Sequence, residues 1–179
     1  NYNIRLLKIL LRHGARADIQ RQDGTTPLML AVDTNQSEGV TWIAQSKNNG
    51  IDKQDKYGRT ALMRALSGQA IDVGKMISQY KDSWKTGLNE VSNDKDNIAR
   101  ILLENNASVN LTDTEGYTAL MFAVSNHHYS QEIVSSLFSK NADINAADNN
   151  GETVLMKAIV SCEACVKWLI DKGVNFKGE

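Results

Sequence analysis

The sequence predicts an all-α protein built from repeated pairs of short helices. The first observation behind this is a copied stretch, which begins at Asp23, Tyr57, Glu115 and Asn150 and reads D-G-T-T-P-L-M-L-A-V in its first copy. The second is the spacing, because the glycines of these copies stand 34, 58 and 35 residues apart. The third is another copied element, L-L-R-H-G-A or L-L-E-N-N-A, which precedes several copies. A motif that recurs about every 34 residues indicates a stacked array of repeats with one continuous core.

The copied stretches resemble the motif of the ankyrin-repeat family, in which a turn glycine is followed by Thr-Pro-Leu-His. The resemblance covers the chain except for roughly 25 residues inserted in the third repeat. It implies a single solenoid domain in which each repeat supplies a turn, two antiparallel helices and a chain reversal. The T-A-L-M variant of the motif is similar to that of bacterial ankyrin proteins. Methionine replaces the family's His in every copy, which predicts apolar packing between repeats: Met29, Met63, Met121 and Met156.

The repeat alignment predicts the boundaries of the repeats. A partial repeat occupies 1–20, and full repeats occupy 21–54, 55–112, 113–147 and 148–179. Only the second helix of the partial repeat is visible in the sequence, so we expect further native sequence upstream, the alternative being a degenerate cap. One aligned position is Gly or Asn five times, which predicts the left-handed residue after a helix: Gly14, Asn48, Asn106, Asn141 and Gly173.

The insert, about 67–94, carries apolar residues at three- and four-residue steps, which predicts a helix with one apolar stripe. These residues are Val73, Met76, Ile77, Tyr80 and Trp84. Two roles are open: the stripe covers neighbouring helices, or it contacts a partner.

The charge and hydropathy of the chain argue against several classes of partner. Lys and Arg number 20 against 21 Asp and Glu, and no basic stripe is present, so nucleic acid and anionic membranes are disfavoured. No apolar run approaches the ~20 residues of a membrane helix, so membrane insertion is not expected. We expect a monomer. The first residue is Asn1 rather than Met, which leaves a cytoplasmic or, after removal of a signal peptide, a periplasmic or secreted location open.

No motif for catalysis is found, since the chain has no phosphate loop, paired-histidine metal motif or nucleophile elbow. We therefore predict no catalytic residue, no metal and no cofactor, and a protein that is not an enzyme. Cys162 and Cys165 leave three alternatives: buried thiols that act as small apolar side chains, a disulfide, or a zinc site completed by His127 and His128.

The resemblance implies a protein partner that binds the turn tips and the exposed face of the first helix of each repeat. In the middle repeats the alignment predicts a surface patch that is enriched in aromatic and arginine side chains, which are typical of interface hot spots. Its alternative is that Phe122 is partly core and the tyrosines are scattered surface residues. The candidate partner-binding residues are Gln22, Asp23, Lys56, Tyr57, Arg59, Arg64, Glu115, Tyr117, Phe122, Asn149, Asn150 and Glu152.

The function predicted from these residues is that of a non-catalytic protein-binding module. An alternative is an inhibitor or immunity-type protein that occludes the active site of a partner enzyme. A third alternative, of a different class, is an enzyme or zinc site at the cysteine and histidine cluster.

Overall fold

The computed structural model describes residues 2–67, 95–125 and 130–175. Within these ranges the chain forms nine α-helices, and its only β-structure consists of two isolated bridges beside turns. The helices are α1 Tyr2–Arg12, α2 Pro27–Asp33, α3 Ser37–Ala44, α4 Ala61–Leu66, α5 Lys95–Glu104, α6 Ala119–Ser125, α7 Gln131–Ser139, α8 Val154–Ser161 and α9 Glu163–Asp171. Apart from Ser67, the predicted helical insert lies outside the described residues.

The helices pack in pairs, and the pairs stack along one direction. Helices α2, α4, α6 and α8 form one row, in which each packs against the next. Helices α1, α3, α5 and α7 form a second row, and each repeat's two helices also pack against each other. The predicted all-α repeat solenoid is therefore confirmed.

A threonine begins each first helix in the same way. The Oγ1 atoms of Thr26, Thr60, Thr118 and Thr153 accept a hydrogen bond from the backbone N–H of the methionine three residues later, at 3.2–3.3 Å. This satisfies one of the N–H groups that have no partner within the first turn of a helix. The recurring Thr is thus explained by local helix capping.

The turn glycines are required for two separate reasons. Gly58 has φ +74°, a conformation that L side chains rarely adopt. A Cβ added there would also lie only 2.8 Å from the backbone N of Thr114 in the next turn. Gly151 has a similar φ of +78°, but an added Cβ would meet nothing within 4 Å. Both glycines are therefore favoured by their left-handed conformation, but only Gly58, on which another turn stacks, must also lack a Cβ for steric reasons.

The predicted left-handed residue after the second helix is confirmed in four repeats, by positive φ angles at Gly14, Asn106, Asn141 and Gly173. The prediction is wrong for Asn48. Helix α3 already ends at Ala44, and the Asn49 side chain donates a hydrogen bond to the Ala44 carbonyl. The left-handed residue in this repeat is instead Gly50, which packs closely on Asp18.

The methionines of the motif show where the core ends. Met29, Met63 and Met121 are at most 1% exposed and belong to one continuous hydrophobic core. Met156, at the same position in the last repeat, is 53% exposed. The apolar packing expected of these side chains therefore occurs in three of the four positions.

Candidate functional site

The four turns that carry the glycines form one edge of the stack, which we call the turn-tip edge and define as residues 21–25, 55–59, 113–117 and 148–152. Each turn is joined to the next by a backbone hydrogen bond of 2.9–3.0 Å. These bonds run from Lys56 N to Asp23 O, from Thr114 N to Tyr57 O, and from Asn149 N to Glu115 O. The edge is therefore a hydrogen-bonded ladder of turns rather than a row of independent loops.

Side-chain amides strengthen the same ladder. Gln20 Nε2 donates to the Gln54 carbonyl at 2.8 Å, and Gln54 Nε2 in turn donates to the Thr112 carbonyl at 2.8 Å. Asn149 Nδ2 donates to the Thr114 carbonyl at 3.0 Å. Because the tips are already held in this way, a partner that binds them loses little free energy to ordering the loops.

Tyr57 is 50% exposed, which is more than any other aromatic side chain whose burial the structure describes. The Lys56 Nζ lies 4.8 Å, and the Arg59 guanidinium carbon 4.9 Å, from the centre of its ring. Both distances are in the range of cation–π contacts. The structure thus brings three of the predicted site residues together at the tip of the third repeat.

Arg64 corrects the predicted patch. The repeat alignment predicts it on the exposed surface, but it is only 6% exposed. Its guanidinium contacts Asp55 Oδ2 and Asp33 Oδ2 at 2.6 Å each and Thr25 Oγ1 at 3.2 Å. Since Asp33 and Thr25 belong to the preceding repeat, Arg64 connects two repeats and its hydrogen-bonding capacity is largely used inside the protein.

A cleft of ≈ 200 Å³ opens between the tips of the second and third repeats, with this ion cluster as its floor and Tyr57 at its rim. Burial would raise the pKa of Asp55, but hydrogen bonds from the Arg59 and Tyr57 backbone and from Arg64 lower it overall. Burial raises the pKa of Asp33 despite its contact with Arg64. The pKa values of the two carboxylates that share one guanidinium are therefore shifted in opposite directions.

Burial also affects Lys95, the first residue of α5. It lowers the pKa of Lys95, and the negative charge of Asp33 opposes that shift.

Tyr117 and Phe122 pack on each other and on the core. Their ring centres are 5.4 Å apart, and both are half-buried against the core cluster. Lys157 from the next repeat donates to the Tyr117 hydroxyl at 2.5 Å and lies 4.4 Å from the centre of its ring. These two aromatic side chains therefore have structural neighbours that Tyr57 lacks.

Lys157 repeats the arrangement of Arg64 near the end of the chain. Its Nζ lies 2.8 Å from Asp148 Oδ2 and also contacts Glu152. Burial would lower the pKa of Lys157, but its contacts with Asp148, Glu152 and Tyr117 raise it overall. The hydrogen bond from Lys157 in turn lowers the pKa of Asp148.

This internal role of the basic side chains is visible in the sequence, although the alignment alone missed it. Asp55 stands nine residues before Arg64, and Asp148 stands at the same distance before Lys157. The repeated acid-to-base spacing could have identified a buried ion pair. The remaining candidates lie on the turn-tip edge: Gln22, Glu115, Asn149, Asn150 and Glu152 are exposed, and Asp23 is half-buried.

Cys162 and Cys165 are joined through their Sγ atoms at the junction of α8 and α9. Cys162 caps the start of α9, because its Sγ accepts a hydrogen bond from the Cys165 backbone N at 3.1 Å. Cys165 is fully buried. This arrangement favours the disulfide among the three alternatives, and oxidation of the pair in the native compartment stays a prediction.

Two absences hold within the described ranges. No group of three or more His, Cys, Asp or Glu side chains is arranged there to hold a metal ion, and His127 and His128 lie outside these ranges. None of the helices described is both long and apolar enough to cross a bilayer.

Comparisons with known proteins agree with this architecture. The family model "Ankyrin repeats (3 copies)" matches residues 1–86 and again 89–178. The crystal structure of the ankyrin repeat protein EF0377 superposes with a TM-score of 0.70 at 22% sequence identity, over 98% of this chain and 77% of that chain. Ankyrin repeats are in general modules for protein–protein interaction. From the match over almost its whole length, the chain belongs to the ankyrin-repeat family.

Proposed function

We propose that the chain is a non-catalytic module that binds a protein partner through its turn-tip edge and the cleft beside Tyr57. The observation that carries the proposal is the exposed ring of Tyr57, which stands between Lys56 and Arg59 on a hydrogen-bonded tip. Tyrosine and arginine are, with tryptophan, the side chains most enriched at interface hot spots, and covering an exposed aromatic ring buries a large apolar area.

The fold does not need the exposed half of this ring. Tyr57 contributes to the ladder through its carbonyl oxygen, which any residue could supply, whereas the buried core is built by the helices. The contrast with Tyr117 supports this assignment, because the Tyr117 hydroxyl and ring are engaged by Lys157. Tyr57 is therefore the residue whose exposed surface is best explained by a partner.

The first experiment isolates the partner from the native organism on the immobilised chain, purifies it, and measures its affinity by calorimetry. Tyr57→Ala should weaken binding by about 1–3 kcal/mol, and Tyr117→Ala by less. Lys167→Ala, on the exposed surface of α9, and Lys140→Ala, after α7, are the controls and should leave the affinity unchanged. Normal binding by Tyr57→Ala together with a loss in the Lys167 or Lys140 variant would place the contact on the opposite face.

The same surface would serve an inhibitor or immunity-type protein, in which the bound partner is an enzyme. This finer role is decided by assaying the purified partner with and without one equivalent of the chain. Full inhibition that disappears with Tyr57→Ala supports the inhibitor, and unchanged activity in the saturated complex supports an adaptor.

A further inference from the structure

The exposed charges of the turn-tip edge change sign along the stack. The tips of the second and third repeats carry exposed Arg21 and Lys56 and the partly exposed Arg59, against one partly exposed carboxylate, that of Asp23. The tips of the fourth and fifth repeats carry no cation, and their exposed or partly exposed carboxylates are those of Asp113, Glu115 and Glu152, whereas Asp148 is buried. One edge of an almost neutral protein therefore has a positive end and a negative end.

The positive end is centred on Tyr57. Because the Lys56 ammonium and the Arg59 guanidinium lie 4.8 and 4.9 Å from the centre of the ring, two cations are held near one aromatic side chain at this tip. Arg59 also contacts the buried carboxylate of Asp55, which fixes its position but leaves its side chain 26% exposed. A carboxylate placed over this tip could approach both cations while its neighbouring atoms cover the ring.

The negative end is centred on Glu115. Within the described ranges its carboxylate has no ion-pair partner, and the Asp113 Oδ1 beside it accepts hydrogen bonds only from the backbone N–H groups of Glu115 and Tyr117. At the following tip, by contrast, Lys157 neutralises much of the charge of Asp148 and Glu152. The uncompensated negative charge is thus concentrated at the tip of the fourth repeat.

These two centres occupy adjacent rungs of the ladder, because Thr114 N donates to Tyr57 O at 2.9 Å. The backbones of the two tips are therefore joined directly, which keeps the two centres next to each other on the edge. A rigid pair of opposite charges favours a partner with the matching pair in one orientation and disfavours the reversed orientation.

We infer that the partner is a protein surface with carboxylates facing the Tyr57 tip and a lysine or arginine facing the Glu115 tip. The inference rests on the proposed function and adds the chemistry and orientation of the bound surface. A nucleic acid fits less well, because its uniform negative charge would meet Asp113 and Glu115 as well as the basic tip.

The test uses a short glutamate-rich peptide and a short lysine-rich peptide as probes, each titrated into the isotopically labelled intact chain and followed by amide NMR. The glutamate-rich peptide should shift the amides of Lys56, Tyr57 and Arg59, and the lysine-rich peptide those of Glu115 and its neighbours. Both shifts should shrink as salt is added.

A charge-swapped variant makes the test specific. Lys56→Glu combined with Glu115→Lys keeps the net charge, so general attraction is unchanged, but it should move each peptide toward the other tip. The single change Lys56→Glu should lower the affinity for the glutamate-rich peptide about fivefold or more. Lys167→Glu makes the same change in charge and should leave that affinity unchanged. The circular dichroism of each variant must match that of the parent chain.

Three outcomes would overturn the inference: both peptides shift the same tip, the charge-swapped variant behaves like the parent, or single-stranded DNA occupies the tips more tightly than the glutamate-rich peptide. With the purified partner, failure of this inference differs from failure of the proposed function. If Tyr57→Ala lowers the affinity for the partner but Lys56→Glu and Glu115→Lys do not, the proposed binding surface is right and the order of charges along it does not contribute to binding. If Tyr57→Ala has no effect, the binding surface itself is wrong.

Discussion

The third and fifth repeats carry the same motif, yet its residues have different surroundings. In the third repeat, Gly58 lies against the next turn and Met63 is 1% exposed. In the fifth, a Cβ added at Gly151 would meet nothing within 4 Å, and Met156 is 53% exposed. The threonine that caps the first helix makes the same hydrogen bond in both repeats. The motif therefore combines a local part, the cap and the left-handed turn, with a part that acts only when another repeat stacks on it.

The largest difference in stability between the two repeats is expected when their motif methionines are each replaced by alanine. Met63→Ala should lower the free energy of unfolding by about 4 kcal/mol, because it leaves a cavity in a close-packed core. Met156→Ala should cost about 1 kcal/mol or less, since half of that side chain is already in water. Urea unfolding followed by circular dichroism measures both. Equal losses would show that the two positions are equally buried in solution.

The turn glycines should show the next largest difference. Gly58→Ala should cost about 3 kcal/mol, because the added methyl group meets the Thr114 backbone in addition to the left-handed strain. Gly151→Ala should cost only the strain, about 1 kcal/mol. Thermal unfolding of the two variants side by side gives the comparison. A loss at Gly151 as large as that at Gly58 would contradict the role assigned to the stacked turn.

The bond between Cys162 and Cys165 provides a third comparison, because it lies only in the last repeat. Closing so short a loop should contribute about 2 kcal/mol through the unfolded chain. Reduction should therefore speed hydrogen exchange in α9 while the amides of α4 and α5 stay protected. Cys165→Ala, run with and without reductant, separates loss of the bond from loss of the buried sulfur. Unchanged exchange on reduction would indicate that the thiols were free.

The smallest effects concern pH in the third-repeat ion cluster. The lowered pKa of Asp55 adds stability that is fully present above about pH 4, the pKa of an unfolded aspartate, and is lost as the pH falls through its lower folded value. The raised pKa of Asp33 acts with the opposite sign, because the folded state then binds the proton more tightly, and stability rises as the pH falls through it.

Two variants separate these opposing contributions. The stability advantage of the parent chain over Asp33→Asn should be larger at pH 4 than at pH 7. Its advantage over Asp55→Asn should be smaller at pH 3 than at pH 7. Denaturant unfolding across this range measures both differences. Parallel stability profiles for the parent chain and Asp33→Asn would mean that Asp33 titrates normally.

The sequence predicted the stack because its strongest signals are local. Gly and Thr recur at fixed spacing, and each is explained by a turn or a cap within a few residues. The error at Asn48 arose where a neighbouring residue offered a better solution, since Gly50 takes the left-handed conformation that was assigned to the aligned position.

The binding site was less predictable because exposure depends on contacts between repeats. Tyr57 and Arg64 both align with positions expected on the surface. Only the fold shows that Asp33 of the preceding repeat reaches Arg64, whereas no comparable neighbour among the described residues covers Tyr57. Sequence alignment gives the position of a side chain within its repeat. Whether that side chain is exposed or bonded depends on the polar residues of the adjacent repeat.

The turn ladder has a consequence for how much the chain can vary between repeats. Its side-chain bonds join residues 34, 58 and 35 apart, and the donor-to-acceptor distances are 2.8, 2.8 and 3.0 Å. The long separation includes the insert, yet that rung is as short as the others. Additional residues can therefore enter between the two helices of a repeat without changing the spacing of the tips. We therefore expect that foreign peptides or reporter domains can be grafted between Ser67 and Lys95 while the hydrogen bond from Gln54 to Thr112 is kept.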